Sequence, residues 1–358
     1  PRTTSSPAPW RMPRSGSEMT ADAPVTGATA NGNRGLSLAL RFFQLFESLG
    51  VLIMIVLVVA LVYAVEPNFL LPHNVSSVLV SAAIIAVAAL GMTLVLAMGA
   101  LDLSIGSLQA LAACVVAILL GMVAIPFAIA ATLLVGAGVG LANGLIVTRL
   151  GVPAFVATLG AMSVLRGAAL LITDGQSILL MDQADFAQLN SGQLLGIPVP
   201  VLIALGVFAV LWLVMRHTPF GQHVCAIGGN ERAAEVTGLK VDRTKVLVFV
   251  IVSTTAALSG VMLTSRYMIV DGTLGLGLEL QAIAVVVLGG TSLMGGNANM
   301  LGTLLAAVLL AVINSALNIL KVESFYQYLA LGLLLIFALA LDTLRRAIIK
   351  RAVTEGRL

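Results

Sequence analysis

From about residue 48 to residue 344 the chain alternates long apolar runs with short polar or glycine-bearing breaks, a pattern of membrane spans. Crossing a hydrocarbon core of about 30 Å takes about 20 helical residues. Runs of that order fall at about 48–65, 75–98, 104–123, 125–148, 153–173, 200–216, 245–265, 280–294, 300–320 and 326–344, which predicts about ten transmembrane helices. The runs are rich in Gly, Ala and Pro and do not alternate apolar with polar residues, so they predict helices and not barrel strands. The eighth run is short and ends in glycines, and predicts either a full span or a broken, re-entrant helix. The expected fold class is all-α, a polytopic helical membrane protein.

One break carries a charge. In "LAMGALDLSIGSLQ", residues 96–109, Asp102 interrupts an otherwise apolar interval. A charged Asp at the centre of a span costs on the order of 2.5–3.5 kcal/mol on insertion scales, so its setting must compensate. The run boundaries place it in the turn between the second and third spans, near the inner face. There it is expected to be partly solvated and to cap the next helix with Ser104. The flanking Gly99 and Gly106 also permit close packing or hinge motion, which leaves a gate or a polar lining open as its role.

Composition removes the soluble alternative. Hydrophobic residues make up 59% and charged residues 10%, against about 45–50% and about 25% in soluble domains. Mean hydropathy is +1.07. The net charge of +3 does not point to nucleic acid, because the basic residues sort by side. With the amino terminus inside and ten spans, all of the 19 Lys and Arg except Arg166, Arg266 and Lys321 fall on the inner side, as the positive-inside rule requires. Both termini are therefore expected to be cytoplasmic. Residues 1–45, rich in Ser, Thr, Ala, Pro, Gly and Arg, read as a disordered cytoplasmic tail, 46–345 as the transmembrane domain, and 346–358 as a basic cytoplasmic tail. No cleavable secretory signal is expected, since the first apolar run begins after Phe46. Cys114 in a span and Cys225 in a loop have no partner at metal or redox spacing, so no metal site is expected.

Two loops are large. The outer one, 174–198, carries Asp174, Asp182 and Asp185 but no Lys or Arg. The inner one, 216–245, contains "GGNERAAEVTGLK", which predicts a short helix with Asn230 as N-cap, Glu231 at the positive end of the dipole and Gly238 as the stop. Its small Ala233 and Ala234, flanked by charges, suit insertion into a groove of a soluble partner; a plain connecting helix is the alternative. Within the spans, Gly136, Gly140 and Gly144 share one helical face and predict close helix packing. A nucleotide-binding glycine fingerprint is excluded because no strand precedes them.

Polar residues inside spans are the candidates for a translocation path. Asn143 and Asn314 lie within spans, and Gln109 and Gln281 at or near span starts. Amides supply both donors and acceptors to a neutral solute, with interhelical hydrogen bonding as the alternative. Arg166, about 10 Å from the outer end of its span, either faces the path or turns to the outer surface or to Asp174. "GGTSLMGGNAN", 289–299, reads as a tight inner turn with gate or interface duty, and "LGGTSLMGG" echoes the glycine spacing of "GALDLSIG".

Four blocks, "GMTLVLAMGALDLSIGS", "PAFVATLGAMSVLRGAALLITDGQSI", "AIGGNERAAEVTGLKVDRTK" and "AVVVLGGTSLMGGNANMLGTLL", resemble the permease subunits of bacterial ATP-binding-cassette importers for monosaccharides, the ribose, xylose and arabinose type. The resemblance runs in order from about residue 45 to 345. It implies a bacterial inner-membrane permease that dimerises, docks two ATP-binding subunits and receives a neutral monosaccharide from a periplasmic binding protein. Gly228, Gly229, Asn230, Glu231, Ala233, Ala234 and Gly238 then correspond to the loop that couples to the ATPase. Two departures from the pattern, Gly99-Ala100 in place of a double Gly and Gln281 in place of an acid, bear on which sugar is taken. The sequence holds no G-x-x-x-x-G-K-[ST] phosphate loop, so this chain is expected to be no enzyme and to bind no cofactor, with ATP and Mg on the partner ATPase. The competing readings are an ion-coupled secondary transporter, which needs carboxylates or His in its spans, and an importer permease for nucleosides. An intramembrane enzyme lacks any His-Glu-x-x-His, G-x-S-x-G or paired-Asp constellation.

Overall fold

The computed structural model describes residues 49–323 and part of the segment 325–343. The tails expected at 1–45 and 346–358 lie outside the described residues, and the tenth predicted run is described only in part. The helices are α1 (Leu49–Val65), α2 (Pro72–Ala97), α3 (Ile105–Leu120), α4 (Ile125–Arg149), α5 (Ala154–Ile172), α6 (Ala184–Ser191), α7 (Val199–His217), α8 (Pro219–Gly229), α9 (Glu231–Val236), α10 (Val241–Tyr267), α11 (Leu278–Leu288) and α12 (Met300–Ile319). Pro at the first turn of α2, α4, α7 and α8 starts those helices where no backbone N–H is lost. Four two-residue strands complete the structure: β1 (Ile178–Leu179), β2 (Gln193–Leu194), β3 (Ile197–Pro198) and β4 (Ile269–Val270). β1 pairs antiparallel with β4, and β2 with β3.

Among the described residues, nine apolar helices match the first nine predicted runs, and six of these, α2, α4, α5, α7, α10 and α12, are long and apolar enough to cross a membrane. The centre is α2, whose apolar window is 89% buried, with α10 and α12 against it. Gly91 lets α2 approach α10 at Val252 and Thr255, and Thr93 Oγ1 lies 3.0 Å from Thr303 Oγ1 of α12. The windows of α4, α5 and α7 are only 17–22% buried, so these helices form the apolar periphery of the bundle.

α4 runs antiparallel to α10 along its glycine face. A Cβ on Gly136 would lie 2.6 Å from the Ala257 side chain, on Gly140 2.6 Å from Val250 Cα, and on Gly144 2.8 Å from Val246 Cα. The three glycines thus step along α10 in reverse order, and any side chain there would separate the two helices.

Of the three shorter apolar helices, α1, α3 and α11, the last two are the shortest. α11 has 11 residues and α3 has 16, rises of about 16 Å and 24 Å at 1.5 Å per residue. Each is led in by non-helical backbone, 100–103 before α3 and 271–277 before α11. Their amino-terminal ends meet inside the bundle: a Cβ on Gly106 would lie 2.7 Å from the Gly275 carbonyl oxygen and collide with the Glu279 carboxylate. The eighth run thus forms a helix of 11 residues preceded by turns. Irregular backbone at that depth is tolerated because protein groups satisfy it. Arg166 of α5 does this, donating from one Nη to the Gly272 and Leu274 carbonyls at 2.8 and 2.9 Å.

The two large loops are more ordered than their polarity suggests. The 174–198 segment holds α6, whose Phe186 is fully buried and accepts from Ser265 Oγ of α10 at 2.8 Å through its backbone carbonyl. The 216–245 segment is not one short helix in a loop but two, α8 and α9, turning at Asn230.

Candidate translocation path and coupling surface

An open cavity of about 450 Å³ lies between α2, α3, α10, α11 and α12, at the end of the bundle opposite α8 and α9. That volume falls within the usual range of small-molecule sites. Among the described residues its lining carries five amides, Gln109, Gln281, Asn314, Asn318 and Gln327, and no carboxylate. The structure thus brings Gln109, Gln281 and Asn314 together at one surface. Gln109 is held in place: its Nε2 donates to Ser259 Oγ at 2.7 Å, and Ser259 Oγ donates to the Ile84 carbonyl at 2.9 Å. Arg266 also lines the cavity, donating to Ser81 Oγ at 2.7 Å and to Ser77 Oγ at 3.2 Å and so binding α10 to α2.

Asp102, Asn143 and Arg166 lie elsewhere. Arg166 does not line the cavity and makes no ion pair with Asp174; it holds the 271–277 segment, of which Leu274, Gly275 and Leu276 form part of the cavity wall. At the head of that segment Asp271 accepts from Thr273 Oγ1 at 2.6 Å, which is the main reason its carboxyl is held below the usual range. Asp102 is fully buried, not partly solvated. Its Oδ1 accepts from the Ser104 backbone N–H at 2.8 Å and from Ser104 Oγ at 2.6 Å, and Asn143 Nδ2 donates to the same Ser104 hydroxyl at 3.1 Å. This is an Asx turn leading into α3; Ser104 occupies the N-cap position, without a side-chain cap bond. The turn spends the carboxylate on local amide and hydroxyl donors, and its Oδ2 has no partner among the described residues.

At the other end of the bundle, Asn230 caps α9 by accepting from the Ala233 N–H at 3.0 Å. Glu231 pairs with Lys245 of α10, which fixes the helix to its successor. The two alanines differ: Ala234 is 4% exposed and faces inward, while Ala233 is exposed beside Val236, which is 85% exposed. Gly229 and Gly238 have open space around them, but Gly228 is pressed against the backbone of the α2 and α11 ends. A second cavity, about 610 Å³, opens between α9, the start of α10 and the α4–α5 connection, and carries Glu231, Glu235, Asp242 and Lys245.

Sequence reasoning missed Ser81, Arg266, Asn318 and Gln327 in the cavity wall and Val236 on α9. For Arg266 a signal existed, a basic residue on the outer side of a chain that keeps its charges inside. Val236 had none, because an apolar residue in a six-residue helix reads as core.

The description branched-chain amino acid transport system / permease component belongs to a family that matches residues 74–339. The chain is 40% identical to the ribose import permease protein of Haemophilus influenzae, over 81% of this chain and 91% of that one. It is 37% identical to the ribose import permease protein of Escherichia coli K12, over 89% and 99%. To the L-arabinose ABC transporter permease protein of Azospirillum brasilense it is 35% identical, over 91% and 94%. No solved structure matches. With a multi-helix apolar bundle, an amide-lined cavity and this extent of similarity, the chain belongs to that family of transport-system permease components.

Proposed function

We propose that this chain is the membrane-spanning subunit of an ATP-binding-cassette importer that passes a neutral monosaccharide, a pentose such as ribose or xylose or else a hexose, across the bacterial inner membrane. The observation that carries the reading is the set of amides around a cavity whose described lining residues include no carboxylate. Amides offer paired donors and acceptors to sugar hydroxyls and hold them only as strongly as neutral hydrogen bonds do. An amino acid would bring an ammonium group that no carboxylate among the described lining residues could receive, so the cavity favours a sugar over the substrate in the family's description. The names of the relatives, ribose, L-arabinose and D-allose permeases, support the same substrate class.

In this reading the α8–α9 end is cytoplasmic, both termini lie on that side, and the chain crosses ten times, with α3 and α11 as broken crossings. A second copy of the chain packs against the apolar periphery, two ATPase subunits dock at α9, and a periplasmic binding protein delivers sugar to the cavity mouth. ATP and Mg belong to the ATPase subunits. The ion-coupled alternative is not favoured, since the described residues of the cavity wall offer no carboxylate or His to a proton. The test is uptake in proteoliposomes holding the permease with its ATPase and binding protein, using labelled ribose, xylose, arabinose, allose, uridine and leucine. A monosaccharide is expected to accumulate; accumulation of leucine or uridine alone would overturn the substrate class.

A further inference from the structure

Three chain segments that are far apart in sequence meet backbone to backbone at the α8–α9 corner. They are the connection after α2, at Gly99; the end of α8, at Gly228; and the connection after α11, at Gly295 and Gly296. A Cβ on Gly228 would collide with the Ala97 carbonyl oxygen and lie 2.6 Å from the Gly296 nitrogen. A Cβ on Gly295 would lie 2.7 Å from Gly228 Cα and 2.8 Å from the Gly99 nitrogen. The Gly296 N–H donates to the Ala97 carbonyl at 2.9 Å, so the α2 and α11 connections are also hydrogen-bonded to each other. Gly99 and Gly295 both hold left-handed backbone, with φ of +78° and +83°. The two connections are the segments whose glycine spacing echoes in the sequence, "GALDLSIG" and "LGGTSLMGG".

Such a contact transmits displacement well. Side chains at an interface change rotamer and absorb motion, whereas backbone packed on backbone has no rotamer to change. Beyond the junction lie α3 and α11, the two helices that start within the bundle. Gln109 of α3 and Leu278 and Gln281 of α11 form the near wall of the amide-lined cavity. The corner is fixed to α9 through Asn230 and to α10 through the Glu231–Lys245 pair.

We infer that Gly99, Gly228 and Gly295 are positioning residues for transport: they form a side-chain-free junction through which movement of the α8–α9 corner is passed to α3 and α11, and so to the cavity. The inference rests on the proposed importer function. A motion of the corner draws both connections together, which opens or closes the meeting of the α3 and α11 amino termini at Gly106, Gly275 and Glu279. The absence of side chains at the junction is what keeps the two connections moving as one.

The test compares Gly228→Ala and Gly99→Asn with Gly206→Ala, a position on α7 with open space around it. Asn takes left-handed backbone more readily than other residues with a side chain, so Gly99→Asn adds bulk to the junction at less strain than they would and serves if Gly228→Ala does not assemble. The full complex of permease, ATPase subunits and binding protein is reconstituted, and three quantities are measured: recovery of ATPase subunits with the permease, ATP hydrolysed and sugar imported. Gly99→Asn is expected to retain its ATPase subunits while sugar imported per ATP hydrolysed falls at least tenfold, with Gly206→Ala within twofold of the native chain. A merely structural role would lower recovery of the complex and leave that ratio unchanged, and this result would overturn the inference. So would junction variants that import within twofold of the native chain. If the native complex itself imports no sugar, the proposed function fails instead, and the two failures are told apart by that control.

Discussion

Asp102 sits in the turn between α2 and α3, fully buried and bonded through Oδ1 to both donors of Ser104. Its place in a turn before a helix is legible from Gly99, Ser104 and Gly106, because those residue types leave the preceding span no way to continue. Its burial is not legible, since it depends on Asn143 and Thr158 arriving from two other helices to enclose the turn. Asp102→Ala removes the acceptor of both Ser104 donors inside the protein and is expected to cost about 1–3 kcal/mol. Asp102→Asn keeps a carbonyl oxygen at the Oδ1 position and is expected to cost less. Thermal unfolding of the purified permease in detergent measures both; equal losses for Ala and Asn would show that the two Ser104 bonds do not hold the turn. Arg166 gives the same lesson, with its charge visible in the sequence and its two carbonyl partners supplied by a segment more than a hundred residues on.

Among the elements, α9 was the most legible and α11 the least. A capping Asn, an acidic first residue and a terminal Gly specify a helix by local chemistry, and the structure places α9 where they require it. What local chemistry leaves open is which face turns outward. Ala233 and Val236 are exposed and Ala234 is buried, so the two alanines have different duties. Ala233→Glu or Val236→Glu is expected to reduce recovery of ATPase subunits at least tenfold with thermal stability unchanged. Ala234→Glu puts an unpaired carboxylate where 4% of the residue is exposed, and is expected to lower the unfolding temperature of the permease itself. Equal behaviour of the 233 and 234 variants in both assays would remove the outward face as the docking surface. The eighth apolar run illustrates a limit of another kind: hydropathy counts apolar residues, and it cannot register that 271–277 enters the bundle as turns before α11 begins.

At the scale of the whole molecule, the placement of charge decides how transport is driven. A carrier that runs on a proton gradient takes up and releases its proton at a carboxylate or His that meets the path. Here the carboxylates within the bundle are kept from the cavity. Asp102 is enclosed in its turn, and Glu279 lies against Gly106 with one oxygen buried and unpartnered among the described residues. The cavity offers amides, Ser81 and an Arg266 already bonded to two serines. None of these is a carboxylate or a His. In the proposed importer reading, free energy for accumulation arrives from outside the cavity, through the corner where α9 meets the two connections. Liposomes containing this chain alone, given an inward proton or sodium gradient, are expected to equilibrate labelled ribose at most and never to concentrate it. Adding the ATPase subunits and ATP on the α9 side, with the binding protein on the other, is expected to produce accumulation that persists when both gradients are collapsed by ionophores. Concentration of ribose by the lone chain under a gradient would mean that Asp102 or Glu279 reaches the path during transport, and would replace the ATP-driven reading with a coupled one.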